Sequence, residues 1–386
     1  MPVPAPHRGS LPRRVWTIYR YPLLVFTLSR IVTAGVMAME GWVTRAHMRA
    51  SPSFDNLFGA VGMWDSIWYR QIALQGYDPA LFHANTPAFL PLWPACLWIA
   101  HQLIWWIDLT WVGAGLSTML FAVGLCLLYR LADDLLGRAI ARRSVLYLAI
   151  SPLAFVFSAV YAESLFLALA VGSFLLVERK HVVWSSVLGA LAVLARPVGI
   201  MLAPALAWRV WRDGRELTTG RRVLRLWPVL LLPAAELAWT GYLWWRFGDM
   251  LAATDAEKRG WGRGASFPPT LLINTFLDEV WHRHLLRFAV HLSFAALWLG
   301  LLVALVRQRK QIPAEYAIFA FGVVLLPFFA GTVLSAGRLG MMGFPLFWAL
   351  AILGRREGVD TAVKILFPPL MAALMFVAYA YQTFTP

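Results

Sequence analysis

Two cysteines, Cys96 and Cys126, are all that 386 residues contain, and both lie inside apolar stretches. They offer no disulfide framework and no metal-ligand spacing. Charge is equally scarce: Asp, Glu, Lys and Arg together make up 14% of the chain, and only 20 residues are acidic. A soluble globular domain carries about 25% charged residues, so water-soluble enzyme folds are excluded. Also missing are a phosphate-binding Gly-x-x-x-x-Gly-Lys loop, a dinucleotide fingerprint, a His/Cys array, a repeat of fixed period and any low-complexity tract. Nucleotide-driven transport therefore has no support.

What remains is apolar. The AVILMFWYC set makes up 60% of the chain and the mean hydropathy is +0.64. Twenty Trp against 11 Tyr suits a chain with many helix ends at the lipid headgroup level. The reading is an all-α polytopic membrane protein, a single membrane domain over residues 1–386. Its net charge of +14 sits in short gaps between apolar runs, so topology rather than nucleic-acid binding accounts for it. The first 16 residues carry Pro and Arg and are followed by an apolar stretch with no small-residue cleavage site, which reads as an uncleaved first span.

About 20 apolar residues cross the hydrocarbon. Candidate spans run over Tyr21–Met39, Thr110–Tyr129, Ser144–Tyr161, Ser164–Val177, Val182–Leu194, Gly199–Val210, Leu226–Trp244, Phe288–Val306, Ala314–Leu334, Met341–Leu353 and Val363–Tyr379. The stretch Pro87–Ile107 is apolar enough to be a twelfth, yet it contains Pro91, Pro94, His101 and Gln102. Charge decides. With that stretch non-spanning, 22 basic residues fall in inside segments and 11 in the longer outside ones, as the positive-inside rule requires. Pro87–Ile107 is then an interfacial helix, broken by its prolines and anchored by Trp93, Trp98, Trp105 and Trp106. About eleven spans leave two large outer loops, residues 41–109 and 245–287, where chemistry is expected.

An acidic residue at an outer membrane edge is costly and informative. Asp65 shares a helical face with Trp68, Tyr69 and Ile72; it is either an N-cap or a functional carboxylate. Glu163 falls at an outer turn, facing solvent or the same cavity as Asp65. Arg196 and Arg338 lie at two further outer turns, where a guanidinium either snorkels to headgroups or clamps a phosphate. Asp278, Glu279, His282, His284 and His291 form a conceivable metal cluster, but read as well as a surface helix with charge pairs. Asp133 and Asp134 belong to a solvated connector rich in arginine.

Five segments, in order, resemble a known family. Trp64-Asp65-Ser66 through Ile72-Ala73 to Gly76-Tyr77 is similar to W-D-x-x-x-Y/F-x-x-I-A-x-x-G-Y, and Phe89-Leu90-Pro91-Leu92-Trp93-Pro94 to F-x-P-L-Y-P. Phe157 to Phe166 resembles F-S-A-x-Y-x-E-S-L-F, Arg196-Pro197-Val198-Gly199 matches R-x-x-G, and Gly248-Asp249 with Trp261-Gly262-Arg263 is similar to G-D-P-L-A and W-G-R. Met250 replaces the usual Pro, and residues 253–260 match poorly. The family is that of the second mannosyltransferase of glycosylphosphatidylinositol assembly and its bacterial relatives, membrane glycosyltransferases of the GT-C type.

The resemblance implies a GT-C fold with helices lying on the membrane in the first outer loop. It also implies a polyprenyl- or dolichyl-phosphate mannose donor and a glycan or glycolipid acceptor. By the same carry-over Asp65 is the general base, Glu163 a second acidic residue of the cavity, and Arg196 or Arg338 a phosphate ligand. Trp261 and Arg263 would contact donor or acceptor, while Trp64, Trp68 and Tyr69 stack on sugar rings or anchor at the interface. Transfer with inversion needs one carboxylate, because phosphate is already a good leaving group. No metal or other cofactor is expected. Competing readings are a secondary transporter or lipid-sugar flippase, which would need mid-span ionisable residues and related halves, and a non-catalytic subunit of a glycosylation complex. A bacterial inner membrane with the site on its periplasmic face is the expected location.

Overall fold

Helices account for all the regular structure in the computed structural model, which describes residues 11–48, 53–80, 85–262, 264, 267–282, 285–331 and 336–379. In chain order, α1 (Leu11–Met48) and α2 (Phe54–Phe58) lead to α3 (Asp65–Gln75) and α4 (Leu92–Leu103). Next come α5 (Leu109–Leu136), α6 (Arg138–Ala149), α7 (Glu163–Glu178), α8 (Val182–Ala195) and α9 (Leu202–Asp213). They are followed by α10 (Thr219–Leu224), α11 (Leu231–Phe247), α12 (Ala252–Trp261) and α13 (Pro268–Trp281). The chain closes with α14 (Leu285–Arg307), α15 (Ala314–Phe329), α16 (Ala336–Met341), α17 (Pro345–Leu353) and α18 (Glu357–Tyr379).

Among the described residues, five stretches are long and apolar enough to cross a membrane: Ile18–Thr44, Leu109–Leu136, Thr219–Phe247, Leu285–Arg307 and Glu357–Tyr379. The chain is an integral membrane protein. The helices α8 and α15 are apolar but shorter. Most expected spans have a helix over them, yet the figure of eleven is not carried by helix length.

One expected span, Ser144–Tyr161, is not a helix at all over its second half. α6 ends at Ala149, Pro152 cannot continue it, and the chain runs through a 3-10 turn at Ala154–Ser158 before α7 starts at Glu163. A break in an apolar interior frees carbonyls that must find donors. Arg30, inside the first span, supplies them: Nη1 donates to Ala154 O at 3.0 Å and to Ser158 Oγ at 2.9 Å, and Nη2 to Ala149 O at 3.3 Å. Its guanidinium also lies 4.7 Å from the centre of the Phe121 ring, and that ring stacks on Phe157 within the same break. The amide of Val160 in turn donates to Val61 O at 3.0 Å, docking the segment between α2 and α3 on the break.

α4 falls within the stretch expected as an interfacial helix, but differs from that expectation in detail. Its 12 residues rise about 18 Å, short of the roughly 30 Å of hydrocarbon. The prolines do not break it, because Pro91 precedes the helix and Pro94 sits in its first turn, where a missing N–H costs little. Trp98, Trp105 and Trp106 are exposed, but Trp93 is fully buried and its indole N–H points to Val160 O at 3.3 Å, so it is core rather than an anchor.

α5, α7 and α8 pack side by side at the centre. At the end of α7 remote from Glu163, Arg209 pairs with Glu178 at 2.8 Å and with Asp213, and Arg212 grips both oxygens of Glu315 at 2.9 and 2.8 Å. This network ties α7, α9 and α15 together.

Candidate active site

Three reversals of the chain assemble the site. At the first, Trp64 adopts φ 56°, a backbone conformation that costs a non-glycine residue about 1–3 kcal/mol, and the turn delivers Asp65 as the first residue of α3. Asp65 is therefore not the N-cap; Trp64 occupies that position. The helix stops at Gly76 with φ 68°, and Tyr77 then ties the following loop down by donating to Phe89 O at 2.8 Å. The second reversal is the break before α7, which puts Glu163 on the first turn of that helix. The third follows α8, where Arg196 leaves the helix in extended conformation and Pro197 opens a 3-10 turn.

Arg338, on the short helix α16, joins these pieces. Its Nη1 donates to Asp65 Oδ2 at 2.7 Å, and its Nε lies 3.3 Å from Glu163 Oε1. The same Glu163 oxygen accepts a very short bond from Arg196 Nη2, while Arg196 Nη1 donates to the Tyr69 hydroxyl at 3.2 Å. The Arg338 guanidinium also lies 5.1 Å from the centre of the Tyr161 ring. Neither arginine snorkels: their side chains are 8% and 4% exposed for Arg196 and Arg338. Burial works against the charge of Arg338, but Asp65 and Glu163 outweigh it and raise its pKa above the ordinary arginine value. Burial likewise pushes the Tyr69 hydroxyl up to about 12, so it stays protonated.

A cavity of about 270 Å³ opens on this cluster. Asp65, Tyr69, Arg196 and Arg338 line one part, with Phe89, Trp261, Glu257 and the C-terminal turn of α15 completing the wall. Glu163 is absent from the lining among the described residues and is fully buried, with Oε2 unpaired. It holds the two arginines from behind. Trp64 and Trp68 do not line the cavity either; Trp68 stacks on Phe89 at 5.9 Å and meets Trp261 edge-on at 6.1 Å, supporting the wall. Arg263 lies outside the described residues.

The family model described as Mannosyltransferase (PIG-V) matches residues 38–239. The chain belongs to this family. Asp65, Glu163 and Arg196 all fall within the segment shared with the PIG-V mannosyltransferases, whereas Arg338 and α12 lie beyond it. No curated protein matches the chain. Among solved structures, the apo oligosaccharyltransferase of Archaeoglobus fulgidus is similar at 12% identity and a TM-score of 0.50, over 97% of this chain and 56% of that one. The same protein in complex with an inhibitory peptide and a dolichol-phosphate gives 12% identity and a TM-score of 0.46, over 97% and 55%. The chain thus spans about half the length of that GT-C neighbour. The likeness to the apo structure shows the fold alone, and membership of the PIG-V family rests on the matched segment 38–239.

Of the suggested metal cluster, Asp278 on α13 and His282, just past its end, pair with each other at 3.3 Å, while His291 is buried on α14. His284 lies outside the described residues. Sequence reasoning missed Glu257, which lines the cavity in the one stretch that fits the family pattern poorly. The signal was there as a helical face: Thr254, Glu257 and Trp261 are spaced i, i+3, i+7.

Proposed function

We propose that this protein transfers mannose, with inversion, from a polyprenyl- or dolichyl-phosphate carrier to a hydroxyl of a glycan or glycolipid at the outer face of the membrane. The observation that carries this reading is the contact between Asp65 and Arg338 on the wall of an open cavity. Asp65 is the general base. The acceptor oxygen loses its proton to the carboxylate and bonds to the anomeric carbon, the bond from that carbon to the phosphate oxygen breaks, and the lipid phosphate departs with the electron pair. Arg338, backed by Arg196, takes up the charge that collects on the departing phosphate. A phosphate arriving on Arg338 competes with Asp65 for the same guanidinium, and the carboxylate it displaces is the one that receives the proton. Glu163 touches neither substrate in this scheme and positions both arginines. The apolar and aromatic residues of the wall, Phe89, Trp261 and Leu326 among them, suit a donor whose hydrophobic tail stays in the bilayer.

Asp65→Asn keeps the size of the side chain and removes the base. Reconstituted with polyprenyl-phosphate mannose and a hydroxyl acceptor, the variant is expected to lose at least about 10²-fold in kcat, the usual worth of a positioned base, with donor binding retained. Transfer at the wild-type rate would leave a non-catalytic role as the better reading.

A further inference from the structure

Asp65, Arg196 and Arg338 explain the charged pole of the cavity but not the carboxylate on α12. Along that helix, Ala252, Ala256 and Gly260 fall within an arc of about 80°, and Thr254, Glu257 and Trp261 within about 60° on the other side. Ala252 and Ala256 are buried, and a Cβ on Gly260 would sit 3.4 Å from Asn85. The small-residue face is thus docked on the turn at residues 85–88, which leaves the other face to line the cavity. Trp261 is braced edge-on against Phe89 at 5.6 Å. Thr254 and Glu257 are therefore presented from a fixed helix, in the same cavity as Arg338.

A carboxylate repels a phosphate, so Glu257 has no part in holding the charged end of the donor. Its oxygens only accept hydrogen bonds, Thr254 adds a hydroxyl that donates or accepts, and Trp261 adds an apolar ring face. Several hydroxyls next to an apolar ring face are what a hexose presents. We propose that Glu257, with Thr254 and Trp261, reads the hydroxyl pattern of the transferred sugar and is the specificity-determining residue of this transferase. The inference rests on the function proposed above and deepens it. It also separates two tasks along the chain: the base and one arginine sit in the family-matched segment 38–239, and the sugar-reading face lies beyond it.

The test uses the full-length protein in vesicles with polyprenyl-phosphate mannose and its four monodeoxy analogues as donors. Wild-type kcat/KM is expected to fall about 10- to 100-fold for one or two of the deoxy donors, the usual worth of a hydrogen bond to a charged group. Glu257→Ala should lose a similar factor with intact mannose, mainly through KM, and should turn over those deoxy donors and mannose at rates within about threefold of each other. Glu257→Gln keeps one acceptor oxygen and should fall between, and it carries the test alone if the alanine variant does not fold. A variant that keeps the wild-type deoxy profile, or slows every donor by one common factor, overturns the proposal. Asp65→Asn run alongside keeps the two readings apart. If it is inactive while Glu257→Ala retains the wild-type profile, only the sugar-reading role falls. If wild-type protein transfers from no polyprenyl-phosphate hexose, both fall.

Discussion

Glu163 shows how a residue can govern a site without entering it. One of its oxygens meets two guanidiniums, and all three side chains are buried. Glu163→Gln would leave Arg196 and Arg338 buried with a single carboxylate, Asp65, for both. Breaking a buried pair of this kind costs about 3–5 kcal/mol, so the variant should unfold at visibly lower temperature in detergent and bind donor poorly. An equally stable and active variant would show that the pair contributes nothing. At this scale the sequence was legible for Asp65 and Arg196, because each stands in a short segment with a recognisable pattern. It was silent on their partnership. Asp65 and Arg338 are 273 positions apart, and nothing local tells a snorkelling arginine from one held between two carboxylates. Position alone also left Glu163 as either a solvated turn residue or a cavity residue, when it is a fully buried counter-ion.

Turns rather than spans set the geometry of the site, and one glycine makes the third turn possible. A Cβ on Gly199 would stand 2.5 Å from Ala192 O and 2.6 Å from Val193 N, both backbone atoms of α8 that cannot rotate away. The amide of Gly199 also donates to Arg196 O at 2.8 Å, closing the loop that aims the arginine. Gly199→Ala should therefore push the 196–199 turn off α8 at a cost of about 1–3 kcal/mol and displace Arg196 from Glu163. The expected signature is a loss of transfer larger than the loss of thermal stability implies; wild-type turnover in this variant would count against a fixed Arg196. The R-x-x-G spacing was readable as a motif, but its reason, close approach to the preceding helix, appears only once the turn is folded. The break between α6 and α7 hides for a similar reason. Residues 144–161 are apolar enough to pass for a span, and the donor that lets them break, Arg30, comes from more than a hundred residues away. A hydropathy count cannot see a carbonyl satisfied across that distance, which is why residues 144–161 were expected to span without a break.

Across the whole molecule, two helices measure the distance between chemistry and charge. α7 begins at Glu163 beside the cavity and ends at Glu178 in the network with Arg209; α15 carries Glu315 of that network in its first turn, and its last turn, at Leu326 and Pro327, lines the cavity. Each is 16 residues long, about 24 Å. The arginine-rich segments around 209–225 and 307–310 therefore lie at the end of the bundle away from Asp65, as the positive-inside rule demands of a site that faces outward. This gives a direct test of sidedness. In a background with Cys96 and Cys126 replaced, Met250→Cys, exposed next to α12, should react with a membrane-impermeant maleimide in intact cells. Lys310→Cys, exposed beyond α14, should react only after permeabilisation. The reverse pattern would put the cavity on the cytoplasmic side and remove the outward-facing orientation proposed for the reaction. It would leave the pairing of Asp65 with Arg338 intact, because that contact depends on the fold and not on which way the fold is inserted.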